Sequence, residues 1–332
     1  MKVVLVDNKP VYSMDISIQQ RVCDAYGMEY VPLNCASEEE VIAACKDADA
    51  ILDIYTKMTP KIIDSLEKCK VMVRFGIGYD VIDVDACTKK GIFVCNVPDY
   101  CIEEVATHTV AMILDVCRKV TFYNDEVRKG KWVAASGYPM HRLSKQTVGF
   151  VGFGNIARRA AGYMAAFGGK IVAYDPFLPN EVFEQNHAVK VELDELLERS
   201  DIISLHTPLF DSTYHIINKD TIARMKDGVM IVNTSRGPLI CEEDLLDGIH
   251  SGKIAAAGLD VVEFEPLTQP NYRLFDSGRV VVSPHAAFST VDSNAELLEK
   301  VAVTACQILK KDFNDTLVRR IVNRKELSAQ IG

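Results

Sequence analysis

The segment Val148-Gly149-Phe150-Val151-Gly152-Phe153-Gly154-Asn155-Ile156-Ala157 constrains this chain more than any other. It reads as an apolar strand, a glycine turn and the first turn of a helix. Asp175 stands 21 residues after Gly154, at the end of a second apolar run, Lys170 to Tyr174. In a strand–turn–helix–strand unit of this spacing, Gly152 makes the tight turn and Gly154 lets the backbone approach a pyrophosphate. Ala157 replaces a third glycine and is still small enough for close helix–strand packing. The helix start at Asn155 offers unpaired N–H groups and the positive end of a dipole to phosphates. Asp175 is placed to accept hydrogen bonds from a ribose 2′-OH and to repel a 2′-phosphate. Pro176 and Phe177 follow it, with no adjacent arginine. The pattern implies a dinucleotide cofactor, and NAD over NADP.

The motif lies in the middle of 332 residues, which is more than one compact core accommodates, so two domains are expected. Strand patterns fall at 3–6, 50–54, 71–75 and 92–95, with helix patterns at 38–45 and 60–69. Thr59 and Pro60 give the second helix a cap and a good first residue. Residues 102–118 read as a long helix. The α/β alternation resumes with strands at 171–174, 202–206, 229–233, 255–259 and 280–283, and a last helix covers about 292–309. Short apolar strands alternating with amphipathic helices predict parallel sheets with helices on both faces. The simplest division puts 1–101 and 292–332 in an outer substrate domain, with the cofactor domain, 102–291, inserted between them. A cleft between the two would hold the substrate. The polar stretch 121–147, with the chain's one tryptophan, Trp132, is too long for a simple connection. It reads as a dimerisation arm.

The net charge of −9 comes from dispersed acidic residues and disfavours nucleic acid or an anionic membrane as a partner. Residues 1–7 read as a short strand entering a turn rather than a signal peptide, and no apolar run approaches the roughly 20 residues of a membrane span. Ten cysteines without a CxxC pair read as reduced, cytoplasmic thiols. Seven histidines show no ligand spacing, so no metal site is expected.

Three strand ends carry unusual residues. Residues 229–233 run into Thr234-Ser235-Arg236-Gly237, 256–260 into Val261-Val262-Glu263-Phe264-Glu265-Pro266, and 280–283 into Pro284-His285-Ala286-Ala287. In open α/β sheets, ligands bind beyond the carboxyl ends of strands. A 2-oxo acid needs what these three supply. Arg236 can grip the carboxylate bidentately. His285, as imidazolium, can give a proton to the ketone oxygen as hydride arrives, and as neutral imidazole can take it back. Glu265 beside the ring would favour its protonated form and hold it in place. Glu263 is the rival for that role, while Asp260 is expected to face the cofactor.

With these residues in hand, the chain resembles the D-isomer-specific 2-hydroxyacid dehydrogenases over essentially its whole length. The supporting segments are Arg74-Phe75-Gly76-Ile77-Gly78-Tyr79-Asp80, Cys95-Asn96-Val97-Pro98, 151–157, His206-Thr207-Pro208-Leu209, 233–237 and Ser283-Pro284-His285. The resemblance implies a Rossmann-type NAD-binding domain inserted into a discontinuous flavodoxin-like substrate domain, and a homodimer. It implies Arg236, Glu265 and His285 as catalytic. It places NAD against Ile77, Gly152, Gly154, Asn155, Ile156, Tyr174, Asp175, His206, Thr207, Pro208, Thr213, Thr234, Ser235, Arg236, Asp260, His285 and Ala287. Substrate would meet Tyr55, backbone N–H groups of Gly76, Ile77 and Gly78, Arg236 and His285.

The substrate is expected to be a small 2-oxo acid such as hydroxypyruvate, glyoxylate or pyruvate. Phosphoglycerate dehydrogenases are the alternative, supported by Thr56-Lys57-Met58-Thr59. Those enzymes usually carry an arginine where this chain has Asp53, and an anion there would disfavour a phosphate. The regulatory extension that many of them carry is also missing where the chain stops at Gly332. A further alternative is a corepressor-like protein of the C-terminal-binding-protein type, which uses NAD to assemble and shares the 95–98 and Glu103-Glu104 neighbourhood.

Overall fold

A computed structural model describes residues 1–7, 15–135, 137–269 and 272–331. The turn expected after Asp7 lies outside the described residues. The chain divides into two compact units, one of 1–101 with 289–332 and one of 102–288.

The first unit is built on five parallel strands: β1 (Lys2–Leu5), β2 (Glu29–Pro32), β3 (Ala50–Asp53), β4 (Val71–Arg74) and β5 (Phe93–Cys95). Their order is β2-β1-β3-β4-β5, the flavodoxin-like order, with its switch point between β1 and β3. The central strands are buried, as expected of a parallel sheet covered on both faces. β2 was not expected. It lies at a sheet edge, so it needs only one ladder and tolerates Glu29 and Pro32 without an apolar run. Ser37 and Thr59 cap the helices Glu38–Cys45 and Pro60–Ser65 through the N–H groups of Glu40 and Ile62. The second helix is shorter than expected, because Leu66 already has extended backbone. Thr290 and Ser293 form a capping box that starts Val291–Lys310, and this helix packs on β3 and β4.

The second unit has seven parallel strands: β6 (Thr147–Val151), β7 (Lys170–Tyr174), β8 (Val189–Lys190), β9 (Ile202–Leu205), β10 (Val229–Asn233), β11 (Ile254–Leu259) and β12 (Val280–Val282). The order β12-β11-β10-β9-β6-β7-β8 is the Rossmann arrangement with one added strand, and chain direction reverses between β6 and β9. Apolar side chains fill both faces, led by Phe150, Phe153 and Phe183 on one side and Ile203, Ile231 and Leu259 on the other. The helix Ile102–Arg118 packs across β10 and β11. Gly258 makes this close approach possible, since a Cβ there would lie 3.2 Å from that of Met112.

Within the 121–147 stretch the structure has a helix, Val120–Arg128, that its polar sequence did not suggest. It follows a left-handed residue, Lys119, whose buried ammonium donates to the Tyr138 carbonyl at 2.7 Å and lies 5.1 Å from the ring centres of both Tyr123 and Tyr138. The helix buries none of its residues, and Trp132 beyond it is 88% exposed.

Asp53 corrects one reading of the sequence. It is wholly buried at the end of β3 rather than offered to a substrate. Burial, and then the neighbouring Asp7 carboxylate, push its carboxyl well above the usual range, against a weaker opposing pull from Arg74. Its Oδ2 has no hydrogen-bond partner among the described residues. A group raised in this way favours folding fully below its unfolded value of 3.8, and that contribution is lost as pH rises through the folded value. Asp53→Asn is therefore expected to match the wild type below about pH 3.8 and to gain on it as pH rises, melting a few degrees higher in mild alkali. Melting curves across pH that stay parallel for the two proteins would contradict this.

Candidate active site

The glycine turn is built as its sequence requires. Gly152 has φ +87°, and a Cβ there would lie 2.8 Å from the carbonyl of His206, so only glycine fits. The Cβ direction of Gly154 is open, with nothing within 4 Å. The helix Asn155–Ala166 begins at Gly154 without a side-chain cap, which leaves its first N–H groups pointing into that opening. Asn155 is exposed and its side-chain oxygen meets the Arg158 guanidinium, Ile156 is half-buried, and Ala157 is buried against the core.

Asp175 does more than end a strand. Its two oxygens accept the N–H groups of Phe153 and Phe177, each at 3.0 Å, and so bind the glycine turn to the end of β7. Each oxygen that accepts one N–H keeps acceptor capacity for a diol. Tyr174 before it packs on the core. The opposite wall comes from the end of β9. The His206 ring turns inward, with Nε2 2.8 Å from Ser204 Oγ and Phe150 at 5.4 Å between ring centres. Burial pushes its pKa down to about 3, so it stays neutral and offers its backbone, not its ring, to the turn. Thr207 Oγ1 is buried with no partner in the protein among the described residues. Pro208 and Thr213 form a turn in which the Thr213 hydroxyl accepts the Phe210 N–H and donates to the Pro208 carbonyl, both at 2.8 Å. An open glycine cradle, an uncapped helix start, an acceptor pair at Asp175 and an orphaned buried hydroxyl together fit a bound dinucleotide.

β10, β11 and β12 are neighbours in register, Asn233 beside Leu259 and Leu259 beside Val282. Their three following segments therefore leave one edge of one sheet. After β10, Thr234 Oγ1 meets Thr109 Oγ1 at 2.8 Å and Ser235 Oγ donates to the Leu205 carbonyl at 2.9 Å. Asn233 Nδ2 donates to the Arg236 carbonyl at 2.8 Å, and Arg236 Nη1 to the Ser235 carbonyl at 2.7 Å. The Arg236 side chain is half-buried.

After β12, His285 has left-handed backbone with φ +52°. Asp260, only 1% exposed, holds it there. Its carbonyl accepts the His285 N–H at 2.8 Å, and its carboxylate accepts Ala286 N–H at 2.8 Å, Ala287 N–H at 3.0 Å and Ser283 Oγ at 2.5 Å. The carboxylate thus faces the 283–287 loop. The imidazole Nδ1 lies 2.8 Å from Glu265 Oε2, while Glu265 Oε1 accepts the Val262 N–H at 3.1 Å. Nε2 remains for a ligand. The rival, Glu263, is engaged elsewhere: its Oε1 lies 2.8 Å from Nε2 of His215 and its Oε2 accepts the Glu242 N–H at 3.2 Å.

Two contributors were not legible in the sequence. His108, on Ile102–Arg118, reaches Ser283 Oγ at 2.9 Å and lies 3.5 Å from Asp260. His215 pairs with Glu263. Neither sits in a motif, and both partners are distant along the chain.

The residues expected to meet substrate from the first unit follow two neighbouring strands, Tyr55 after β3 and Gly76–Gly78 after β4. The Asp7 carboxylate accepts the N–H groups of Ile54, Tyr55 and Thr56 at 3.0, 2.6 and 2.9 Å, which fixes the turn carrying the half-exposed Tyr55. Gly76 has φ +130° and lies against the Arg74 guanidinium, where a Cβ would come within 2.0 Å. Asn96 Nδ2 donates to the Ile77 carbonyl at 2.6 Å and Val97 N–H to that of Gly76 at 2.9 Å, which secures the loop running to Gly78. Among the described residues there is no group of His, Cys, Asp and Glu that could hold a metal ion, and no helix is long and apolar enough to cross a membrane.

Residues 110–287 match the family model described as "D-isomer specific 2-hydroxyacid dehydrogenase, NAD binding domain". A hydroxypyruvate reductase from Blautia hydrogenotrophica is 38% identical over 307 residues, covering 90% of this chain and 94% of its own. A D-3-phosphoglycerate dehydrogenase from Methanocaldococcus jannaschii is 37% identical over 290 residues, covering 86% of this chain and 54% of its own, so this chain spans about half of it. Among solved structures, D-lactate dehydrogenase from Aquifex aeolicus complexed with NAD and lactic acid superposes with a TM-score of 0.84 at 29% identity, covering 97% of this chain and 99% of its own. The chain belongs to the D-isomer specific 2-hydroxyacid dehydrogenases. It is an NAD-dependent oxidoreductase acting on a 2-hydroxy or 2-oxo acid, with the α/β fold of that family.

Proposed function

We propose that this protein is a reductase of a small 2-oxo acid, with hydroxypyruvate and glyoxylate as first candidates and pyruvate as the third. The observation that carries the reading is the His285–Glu265 pair, 2.8 Å apart on the same sheet edge as Arg236. NAD, when bound, supplies or takes up hydride at its nicotinamide. Arg236 grips the substrate carboxylate and orients the adjacent carbonyl. Glu265 holds Nδ1 of His285, so that Nε2 faces the substrate and donates a proton to the ketone oxygen during reduction. In oxidation, neutral Nε2 accepts the hydroxyl proton. Asp260 fixes the loop beneath both groups. From the first unit, Tyr55 and the N–H groups of Gly76, Ile77 and Gly78 are assigned to substrate binding.

For the cofactor, we assign the pyrophosphate to the open cradle of Gly152, Gly154, Asn155 and Ile156, and the adenosine ribose to Asp175, flanked by Tyr174. His206 through its backbone, Thr207, Pro208 and Thr213 form the far wall. Thr234, Ser235, Arg236, His285 and Ala287 are assigned to the nicotinamide end, with Asp260 acting through the 283–287 loop that it holds, and Ile77 is the contact assigned from the first unit.

The hydroxypyruvate reductase relative, matched along nearly its whole length, supports the choice of small acids. Phosphohydroxypyruvate is the second reading. A phosphoglycerate dehydrogenase is among the relatives, and a buried Asp53 sets no anion against a phosphate. The discriminating experiment is NADH oxidation with hydroxypyruvate, glyoxylate, pyruvate and phosphohydroxypyruvate, repeated with NADPH. Turnover is expected with the unphosphorylated acids, and at least tenfold higher kcat/KM with NADH, since Asp175 repels a 2′-phosphate. Preference for phosphohydroxypyruvate would favour the second reading. Tight NADH binding without turnover of any acid would favour the corepressor-like alternative.

We also propose a cytoplasmic homodimer whose contact includes the 121–147 arm. Its helix buries no residue within the chain, and Val120, Val127, Trp132 and Val133 are exposed. Trp132→Asp with Val127→Asp is expected to halve the mass measured by light scattering. An unchanged mass would place the contact elsewhere.

A further inference from the structure

We infer that His215 is a positioning residue that ties the segment carrying Arg236 to the segment carrying Glu265. The inference rests on the proposed catalytic roles of those two residues and adds a third that sets their relative placement.

His215 is engaged in two directions at once. Its backbone N–H donates to the Pro238 carbonyl at 2.9 Å, two residues beyond Arg236. Its ring Nε2 lies 2.8 Å from Glu263 Oε1, two residues before Glu265. The intervening peptides touch directly, since a Cβ on Gly237 would fall 1.8 Å from the Val262 carbonyl oxygen. The two segments are thus held together by a backbone contact at Gly237 and by the His215 bridge beside it. Val262 also donates its N–H to Glu265 Oε1, so a shift of the 262–263 peptide would be passed to the carboxylate that holds His285.

The histidine is itself constrained. It adopts left-handed backbone at φ +50°, uncommon for a residue with a side chain. Asn218 Nδ2 donates to its carbonyl at 2.8 Å. The Tyr214 ring stacks on the imidazole, with centres 4.0 Å apart and planes 20° from parallel. On the other side, Glu263 is fixed by the Glu242 N–H at the start of Glu242–Ser251. The His215 backbone, its ring and the Glu263 carboxylate are therefore each held by a named partner, as expected where two catalytic groups must keep a fixed separation.

His215→Asn keeps a residue that accepts left-handed backbone but is too short to reach Glu263. It is expected to lower kcat for reduction about tenfold, with NADH affinity and melting temperature little changed. The loss should fall on kcat, with KM for the oxo acid little changed, the same split expected of Glu265→Gln. In the Glu265→Gln background the same substitution should have little further effect. His215→Gln, long enough to donate to Glu263, should recover most of the loss. A lowered kcat for Glu265→Gln with an unchanged kcat for His215→Asn would overturn the tie alone. So would a loss of rate equal in both backgrounds. An unchanged kcat for Glu265→Gln would overturn the catalytic reading itself, and the tie with it.

Discussion

Arg236→Ala is expected to lower kcat/KM for a 2-oxo acid by on the order of 10²-fold or more, the usual cost of removing one partner of a desolvated, hydrogen-bonded charge pair. Arg236 has a planar fork that matches a carboxylate, and it follows β10, next to the strands that lead to Glu265 and His285. The fold should survive the change, because the Asn233 bond to this residue goes to its backbone carbonyl. Arg236→Lys keeps the charge and loses the fork, so an intermediate loss is expected. Steady-state kinetics, with NADH affinity measured on the same protein, separates substrate grip from cofactor binding. Near-wild-type turnover in the alanine variant would remove Arg236 from the site.

The second large effect concerns His285. Asparagine is the informative replacement, because the backbone there is left-handed and alanine would add strain to the loss of chemistry. His285→Asn should lower kcat about 10²–10⁴-fold, the range typical of a positioned general acid or base. The Asp260 bonds to the backbone of 285–287 are independent of the side chain, so NADH binding and melting temperature should stay within narrow limits. A loss below tenfold would mean that water or another group carries the proton.

The parts of this molecule that were legible in the sequence are those governed by local chemistry. The glycine turn and Asp175 needed only spacing. The buried strands needed only apolar runs, and β7 and β10 fall where those runs lie. That β10, β11 and β12 deliver their polar ends to one edge follows from parallel topology. What was not legible depends on neighbours. β2 and β8 are edge strands, half-solvated and short, with no pattern of their own. The helix Ser17–Ala25 is mostly polar, so its apolar stripe is thin. Val120–Arg128 buries no residue fully and turns only Phe122, Tyr123 and Glu126 partly inward, so no apolar run marks it. Asp53 looked like a surface anion because a sequence does not disclose burial, yet Asp7 and the sheet enclose it. The residues alone left Glu263 as a rival while the resemblance pointed to Glu265, and in the structure Glu263 pairs with His215 and Glu265 with His285. His108 and His215 act through partners 175 and 48 residues away.

The most direct test of the central claim is the pH dependence of kcat/KM in both directions, in the wild type and in His285→Asn. If Nε2 of His285 gives and takes the substrate proton, reduction should fall as pH rises and oxidation should fall as pH drops, through one shared ionisation. Both limbs should vanish in the variant, leaving a low, flat rate. Limbs that persist unchanged in His285→Asn would show that another group moves the proton, and the assignment of the catalytic pair would fail.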